Sequence, residues 1–344
     1  MRITFIVGTG RCGSTLLSRI LHAHPEVLSL NEFFTPLRRR AYLPEEPLDG
    51  RAFWTLLAEP SPVLDGFVRN GVRLPEQLYP YETGRFGRAG VPALCHMLLP
   101  LLTDDPDGLH DALEADVLTW PSRPAPEQYC RLFAVLAERL GRRVVVERSG
   151  MSLPLVEPLA RAFPEARFVH LYRNGPDSAV SMSHHPGFRL ALLLNQAARH
   201  VGLTSFEQLT EADVRRLPAH LARVASNRYD PAALLNADLP LPAFGMMWSS
   251  LITVGVEALA NLAPDRRTTI MYDALLNDPE PELARLAEFI DADPTPEWLR
   301  ESSTRIDPSR AGSAARLAPD DLAALHAACA PGTQAMQPDL IPGG

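Results

Sequence analysis

Residues 8–15 have the residue types and spacing of an anion-binding loop. The segment follows a short apolar run at residues 3–7 and precedes a helical pattern. Its glycines allow successive backbone N–H groups to face one anion, and the N-terminus of the following helix adds positive potential. Arg11 supplies a cation inside the loop, and Ser14 and Thr15 supply hydroxyls. The sequence therefore predicts a site for a terminal anion, with a tight turn that binds no ligand as the alternative.

The basic residues restrict the chemistry of this loop. All 33 positively charged side chains of the chain are arginines, and no lysine is present. This composition excludes a lysine Schiff base, a pyridoxal anchor and the phosphate-binding lysine of nucleotide hydrolases and kinases, whose position in the loop is occupied by Ser14. A kinase-like phosphotransferase is thus an alternative that the loop itself opposes. Abundant arginine without lysine also indicates a GC-rich, bacterial source.

Charge and cysteine content narrow the class of protein further. The net charge of −8 is opposite to the basic footprint of a duplex-binding protein, so we expect no nucleic-acid partner. The four cysteines have no metal-ligand or disulfide spacing, which predicts no metal and a reducing, cytoplasmic location. The short N-terminal apolar run predicts neither a signal peptide nor a membrane span.

Residues 11–17, RCGSTLL, followed by AHPEV at residues 23–27, resemble the 5′-phosphosulfate loop of the sulfotransferases. These enzymes use 3′-phosphoadenosine 5′-phosphosulfate (PAPS), and the loop is most similar to that of the tyrosyl-protein sulfotransferases and their bacterial relatives. The resemblance implies a sulfuryl transfer from PAPS to a hydroxyl, with PAP as the product and no metal. It implies that the donor is bound by Arg11, Cys12, Gly13, Ser14 and Thr15.

A second block, FVHLYRNG at residues 168–175, resembles the site of the same family that binds the 3′-phosphate. There an arginine leaves the end of a strand and a serine follows on the next helix, which implies Arg173 and Ser181 here. An arginine can donate two hydrogen bonds to a phosphate, and a hydroxyl two helical turns along the chain can reach the same group.

Shorter matches extend the resemblance. ERS at residues 147–149 places Arg148 where a lysine of the family assists the sulfuryl group, MYDALL at residues 271–276 places Tyr272 near the nucleotide, and ESST at residues 301–304 places Ser303 near the sulfate. The family also has a lysine in a C-terminal nucleotide-binding loop. Since this chain has none, Arg310 or Arg316 is expected to replace it.

Glu32 is the candidate general base, because it follows the second predicted strand and the resemblance places a glutamate here. Proton transfer from the acceptor to a carboxylate should be concerted with attack on sulfur, with Arg11 and Arg148 stabilising the departing oxygen. The thiol of Cys12, at a helix N-terminus, could have a lowered pKa, although direct transfer needs no nucleophile. Histidine bases are the alternatives, namely His22, His24, His184 and His185. A non-catalytic nucleotide-binding module of the same fold is a further alternative.

The surrounding pattern indicates an α/β fold, a P-loop-like central parallel sheet flanked by helices, with helical insertions. Short apolar runs predict strands at residues 3–7, 27–30, 143–147, 167–171 and 268–272. We expect one sulfotransferase domain over residues 1–344, with a core at residues 1–34, 143–187 and 244–330. The insertions, residues 35–142 and 188–243, are expected to bind the acceptor.

The acceptor itself is expected to be a small molecule. Aromatic residues of the insertions are candidates for an apolar pocket, namely Tyr79, Tyr81, Phe86, Phe188 and Phe206, although ordinary packing explains them equally. A phenol, a sugar, a lipid-like alcohol and a peptide all stay open as the acceptor class, and the oligomeric state is not indicated.

Overall fold

Five parallel strands form a central sheet. The computed structural model describes residues 2–37, 42–88, 90–204, 206–226 and 229–336. Its strands are β1 (Ile3–Val7), β2 (Val27–Asn31), β3 (Val144–Arg148), β4 (Arg167–Tyr172) and β5 (Arg267–Met271), in the order β2-β3-β1-β4-β5. Every neighbouring pair is parallel. The predicted α/β fold with a central parallel sheet is thereby confirmed, and each predicted strand lies within one or two residues of the observed one.

The first three strands are buried along their whole length. They read as continuous apolar runs because helices cover both faces of a parallel sheet. Thr4 and Ser29 are small polar exceptions inside the strands, and the larger ones lie at the carboxyl ends. They are Asn31 of β2 and Glu147 and Arg148 of β3, all of which are buried. Burial of charged groups is costly unless they are paired, so this edge of the sheet is where function is expected.

Helices connect the strands and fill the remaining chain. In chain order they are α1 (Ser14–His22), α2 (Gly50–Ala58), α3 (Pro62–Arg69), α4 (Ala93–Met97), α5 (Leu99–Leu102), α6 (Pro106–Val117), α7 (Ala125–Arg139), α8 (Val156–Ala162), α9 (Gly175–Ser183), α10 (Pro186–His200), α11 (Glu211–Val214), α12 (Ala219–Ala225), α13 (Pro231–Leu235), α14 (Leu241–Ala260), α15 (Tyr272–Asn277), α16 (Pro279–Phe289), α17 (Pro296–Ser303) and α18 (Pro319–Ala335). Short 3₁₀ turns lie at Thr35–Leu37, Leu153–Leu155, Phe206–Gln208, Pro264–Arg266, Pro308–Arg310 and Ser313–Arg316.

The chain forms two compact units. The first comprises Met1–Phe33, Pro124–Ser181 and Phe244–Gly344, and it contains the whole sheet. Its apolar core includes Leu17, Val169 and Trp298. The second comprises Phe34–Arg123 and Met182–Ala243, and it has a separate core around Phe67 and Leu221. The assignment of both units to one sulfotransferase domain stays a prediction.

Helix α14 has the length and hydropathy of a membrane span. Half of its apolar window is buried inside the protein, and the buried side includes Phe244, Trp248 and Ile252. A single helix of this kind is weak evidence for a span, because the central helices of globular proteins meet the same criteria. The sequence had predicted no span.

Candidate active site

The carboxyl ends of all five strands carry the predicted site residues. Because the strands are parallel, these ends share one edge of the sheet. Strand β1 is followed by the loop, β2 by Glu32, β4 by Arg173 and β5 by Tyr272, while Arg148 is the last residue of β3. Asn31 of β2 and Ile6 of β1 both stand in register with Arg148. The fold therefore brings together residues that are far apart in the sequence.

The loop after β1 is shaped by left-handed backbone. Gly10, Arg11 and Gly13 have φ values of 75°, 56° and 91°. Gly13 is the N-cap of α1 and has no side chain to satisfy the first N–H groups of the helix, which have no partner within the helix itself. Ser14, which is buried, and Thr15, which is half-buried, lie in that first turn. The N–H groups of this turn form the positive end of the helix dipole, an arrangement that favours an anion.

Gly13 is also required by close packing. A Cβ atom at this position would lie 2.2 Å from both Cδ2 and Cε2 of Tyr272, the first residue of α15. The tyrosine ring therefore lies directly against the loop. Burial raises the pKa of Tyr272, and the charges of Arg173 and Arg310 only partly oppose this. The phenol stays protonated at neutral pH and is a neutral wall of the site.

The two predicted sequence blocks meet at Arg11. Its Nε donates to the Oγ of Ser181 on α9 at 3.1 Å. Its carbonyl oxygen accepts from NH1 of Arg173 at 3.3 Å. The Arg173 guanidinium also lies over the ring of Tyr272, with its Cζ 4.9 Å from the ring centroid. The loop after β1, the strand-end arginine and the helical serine thus form one contiguous cluster.

Arg173 is buried and only partly satisfied by protein groups. Its NH2 donates to the carbonyl of Arg310 at 3.1 Å, yet its Nε finds no hydrogen-bond partner among the described residues. The Arg310 side chain itself is exposed and lies 3.7 Å from Asp307. The direct hydrogen bond from Arg310 to this cluster is therefore made by its backbone carbonyl, and its predicted replacement of the missing lysine stays a prediction.

Glu32 and Arg148 form a buried ion pair. NH1 of Arg148 donates to Oε1 of Glu32, and NH2 donates to the side-chain oxygen of Asn31. The other carboxylate oxygen of Glu32 accepts from the amide of Gly150 at 2.9 Å. Glu32 has a φ of 56°, an uncommon conformation for a residue with a side chain and one that accumulates at functional sites.

Arg148 retains a buried N–H group that no atom of the described residues satisfies. Its side chain is almost completely buried, and its Nε has no partner in the part of the chain that the structure describes. Burial raises the pKa of Cys12 in the loop, and the charge of Arg148 partly offsets this rise. Sequence reasoning missed the two groups that hold this pair, because the contacts of Asn31 with Arg148 and of Gly150 with Glu32 both depend on the pairing of β2 with β3.

Two further predicted site residues are Cys12 and Ser303. Burial raises the pKa of Cys12 more than Arg148 and the loop amides lower it, so the predicted lowering of this pKa is wrong and the thiol stays protonated. The hydroxyl of Ser303 donates within its own helix, to the carbonyl of Leu299 at 2.8 Å. Its predicted proximity to the sulfate stays a prediction.

The alternative histidine bases lie elsewhere. His24 accepts from the amide of Glu26 and contacts the carbonyl of Asp293 at 2.9 Å, at the amino ends of the strands. His22, at the end of α1, is half-buried, and burial lowers its pKa. His184 and His185 lie in the second unit, where His185 caps α10 and lies 3.3 Å from Glu76.

The aromatic residues that were candidates for an acceptor pocket pack within the second unit. Tyr79 is buried, and its ring centroid lies 5.5 Å from that of Tyr81 and 6.0 Å from that of Phe86. Tyr79 donates to Asp107 at 2.7 Å, and Phe188 is also buried. Ordinary packing explains these residues.

One cluster has the composition of a metal site. His110, Asp111 and Glu114 of the second unit place their ligand atoms within 4.8 Å of one another. Protein donors already engage two of them, since Arg85 forms two hydrogen bonds to Asp111 and Trp54 donates to Glu114 at 3.0 Å. This arrangement is that of a hydrogen-bonded ion cluster.

Three similar solved structures are of sulfotransferases or sulfotransferase domains. The sulfotransferase domain of the Synechococcus PCC 7002 olefin synthase is 18% identical, covers 96% of this chain and 94% of its own, and has a TM-score of 0.46. The sulfotransferase domain from the curacin biosynthetic pathway is 16% identical, and the match covers 95% of this chain and 97% of that domain, with a TM-score of 0.49. A sulfotransferase from Alicyclobacillus acidocaldarius is 17% identical, and the match covers 97% of this chain and 94% of that protein, with a TM-score of 0.42. At such scores the likeness carries no argument about function.

Comparison with curated proteins gives no match. The family model of the sulfotransferases matches residues 4–56, which include β1, the loop, α1, β2 and Glu32. Over this segment the chain matches the sulfotransferase family, and the resemblance predicted from the loop is confirmed.

Proposed function

We propose that this chain is a sulfotransferase that moves a sulfuryl group from PAPS to the hydroxyl of a small molecule. The observation that carries the proposal is the convergence of Arg11, Arg148 and Arg173 on the loop at the carboxyl edge of the sheet. Two of these guanidinium groups have a buried N–H without a hydrogen-bond partner in the described structure. Buried donors are normally satisfied, so this site fits a ligand that is rich in anionic oxygens.

The donor has two anionic ends, and the cluster offers a place for each. Arg173 and Ser181 would hold the 3′-phosphate, with Tyr272 beside them. The N–H groups of the first turn of α1, together with Ser14 and Thr15, would hold the 5′-phosphosulfate. The donor supplies the sulfuryl group and a phosphate leaving group. The residues of this chain bind it, orient it and stabilise its charge.

Glu32 is proposed as the general base. Its carboxylate lies between Arg148 and the amide of Gly150, at the same edge as the loop. There it would accept the proton of the acceptor hydroxyl as that oxygen attacks sulfur. Arg148 spans Glu32 and the loop, so it can stabilise negative charge on the departing oxygen. The His24 alternative loses support from its place at the opposite ends of the strands.

The two competing functions, a kinase-like phosphotransferase and a non-catalytic nucleotide-binding module, would require different residues at the carboxyl edge of the sheet. A kinase-like phosphotransferase would need a positive charge at the position of Ser14, and the chain contains no lysine to provide it. A non-catalytic nucleotide-binding module would not need an acidic side chain held in a strained backbone beside the loop. The four cysteines are free thiols, which supports the further proposal of a cytoplasmic location.

The experiment is transfer from sulfur-labelled PAPS to a panel of phenols, alcohols and sugars. Wild type and Glu32→Gln are compared, with Glu26→Gln as the control, because Glu26 is a second carboxylate in an arginine pair but lies before β2. We expect Glu32→Gln to lose transfer while still binding PAP, and Glu26→Gln to keep both. Full turnover by Glu32→Gln would refute the role of this base, and MgATP-dependent phosphorylation by the wild type would favour the kinase alternative.

A further inference from the structure

Asp177 binds a distant part of the chain through its carboxylate. It lies in the first turn of α9 and is 3% exposed. Its Oδ2 accepts from the amide of Gly312 at 2.9 Å, and its Oδ1 accepts from the hydroxyl of Ser313 at 3.1 Å and the amide of Ala314 at 2.8 Å. Asn174 donates to it as well, at 3.2 Å. One buried carboxylate therefore fixes three consecutive residues of the C-terminal segment.

The same carboxylate faces Arg173. Its Oδ2 lies 3.6 Å from NH2 of Arg173, and that nitrogen also donates to the carbonyl of Arg310. The segment 310–314 is thus bound at its start by the arginine and at its end by Asp177. These contacts hold NH2 of the guanidinium, and the carbonyl of Arg11 holds NH1. The Nε remains buried without a hydrogen-bond partner among the described residues.

Asp177 stays ionised in this setting. Burial alone would raise its pKa, but the amide of Ala314, the side chain of Asn174, the amide of Gly312 and the charge of Arg173 together hold the pKa below its ordinary value. Its charge lies 3.6 Å from NH2 of Arg173 and partly offsets that guanidinium, so it does not itself favour an anion. Its effect is geometric, since it fixes the rotamer of Arg173 and the path of the C-terminal segment.

We infer that Asp177 is a positioning residue for recognition of the donor's 3′-phosphate. It acts through Arg173 and through segment 310–314, and so sets the preference for nucleotides that carry a 3′-phosphate over those that lack one. The inference rests on the proposed function, because it assumes that Arg173 binds this phosphate. It adds a residue that touches no substrate and still determines which nucleotide is selected.

The test compares the dissociation constants of PAP and of 5′-AMP, which lacks the 3′-phosphate, by calorimetry on the full chain. Asp177→Asn keeps the size of the side chain but removes its charge and one of its two acceptor oxygens. We expect the dissociation constant of PAP to rise by about tenfold or more, the size of a lost charged hydrogen bond, while that of 5′-AMP stays nearly unchanged. A purely structural role would weaken both nucleotides alike, and that result overturns the inference. So does an unchanged preference.

Two further variants keep the test decisive. Glu26→Gln is the matched control, because Glu26 also pairs with an arginine and accepts a distant amide, that of Asp293 at 2.9 Å, but does so away from the site. It should leave the ratio of the two constants unchanged. If Asp177→Asn fails to fold, Ser313→Ala removes a single hydrogen bond to the carboxylate and should reduce the preference for PAP over 5′-AMP by a smaller factor, whereas an unaltered preference overturns the inference. If the wild type itself shows no preference for PAP over 5′-AMP, the proposed function is refuted. This result needs no variant.

Discussion

Replacing Gly13 by alanine tests the packing that joins the loop to the end of β5. The new Cβ would lie 2.2 Å from two atoms of the Tyr272 ring, and the ring is buried and stacked on Arg173. The backbone at φ 91° adds a separate penalty for any side chain. The left-handed backbone costs about 1–2 kcal/mol and the overpacking about 1–3 kcal/mol, so we expect a loss of about 2–5 kcal/mol in the free energy of unfolding.

Gly141→Ala is the matched control for this substitution. Gly141 has a φ of 63°, and a Cβ there would have no neighbour within 4 Å, so only the backbone penalty applies. Urea unfolding of both variants separates the two costs. In addition, Tyr272→Leu combined with Gly13→Ala should recover the overpacking part in a double-mutant cycle. If Gly13→Ala costs no more than Gly141→Ala, the ring does not press on the loop and the reasoning is refuted.

Further predictions concern acidity, binding and thiol exposure. Burial lowers the pKa of His170 from 6.5 to about 4, so the stability it contributes is complete above pH 6.5 and falls by about 3 kcal/mol as the pH drops to 4. Between pH 7 and pH 4.5, the free energy of unfolding measured in urea should fall less for His170→Leu than for the wild type. An equal fall in both proteins would contradict this. Arg173→Met should weaken PAP binding by about tenfold or more in calorimetry, and unchanged affinity would remove it from the site. A thiol reagent should modify the half-buried Cys130 first and reach Cys12 only on unfolding; rapid labelling of Cys12 would refute its burial.

The strands and the anion-binding loop were predictable from local pattern. Doubly buried strands read as short apolar runs, and the glycines around Arg11 mark a backbone turn that few other residues allow. The residues at which strands end and helices begin were harder to predict. Tyr272 was predicted to close β5, whereas it begins α15. Its apolar character fits both positions, and its contact with Gly13 comes from tertiary packing.

The candidate site was predictable as a set of residues and not as a network. The motifs supplied Glu32 and Arg148 separately, but their ion pair depends on the adjacency of β2 and β3, which no sequence spacing encodes. The contacts of Asp177 could not be predicted, because its partners at residues 312–314 are remote in the chain. Burial likewise decided the pKa of Cys12, and burial is a property of the whole fold.

The proposed function requires that the carboxyl edge of this sheet binds PAPS. Calorimetric titration of the wild-type chain with PAP, and separately with ATP and magnesium in the same buffer, measures this binding. The arrangement of Arg11, Arg148 and Arg173 predicts that PAP binds with a one-to-one stoichiometry and that MgATP binds more weakly or not at all. Absence of PAP binding, or tighter binding of MgATP, would contradict it.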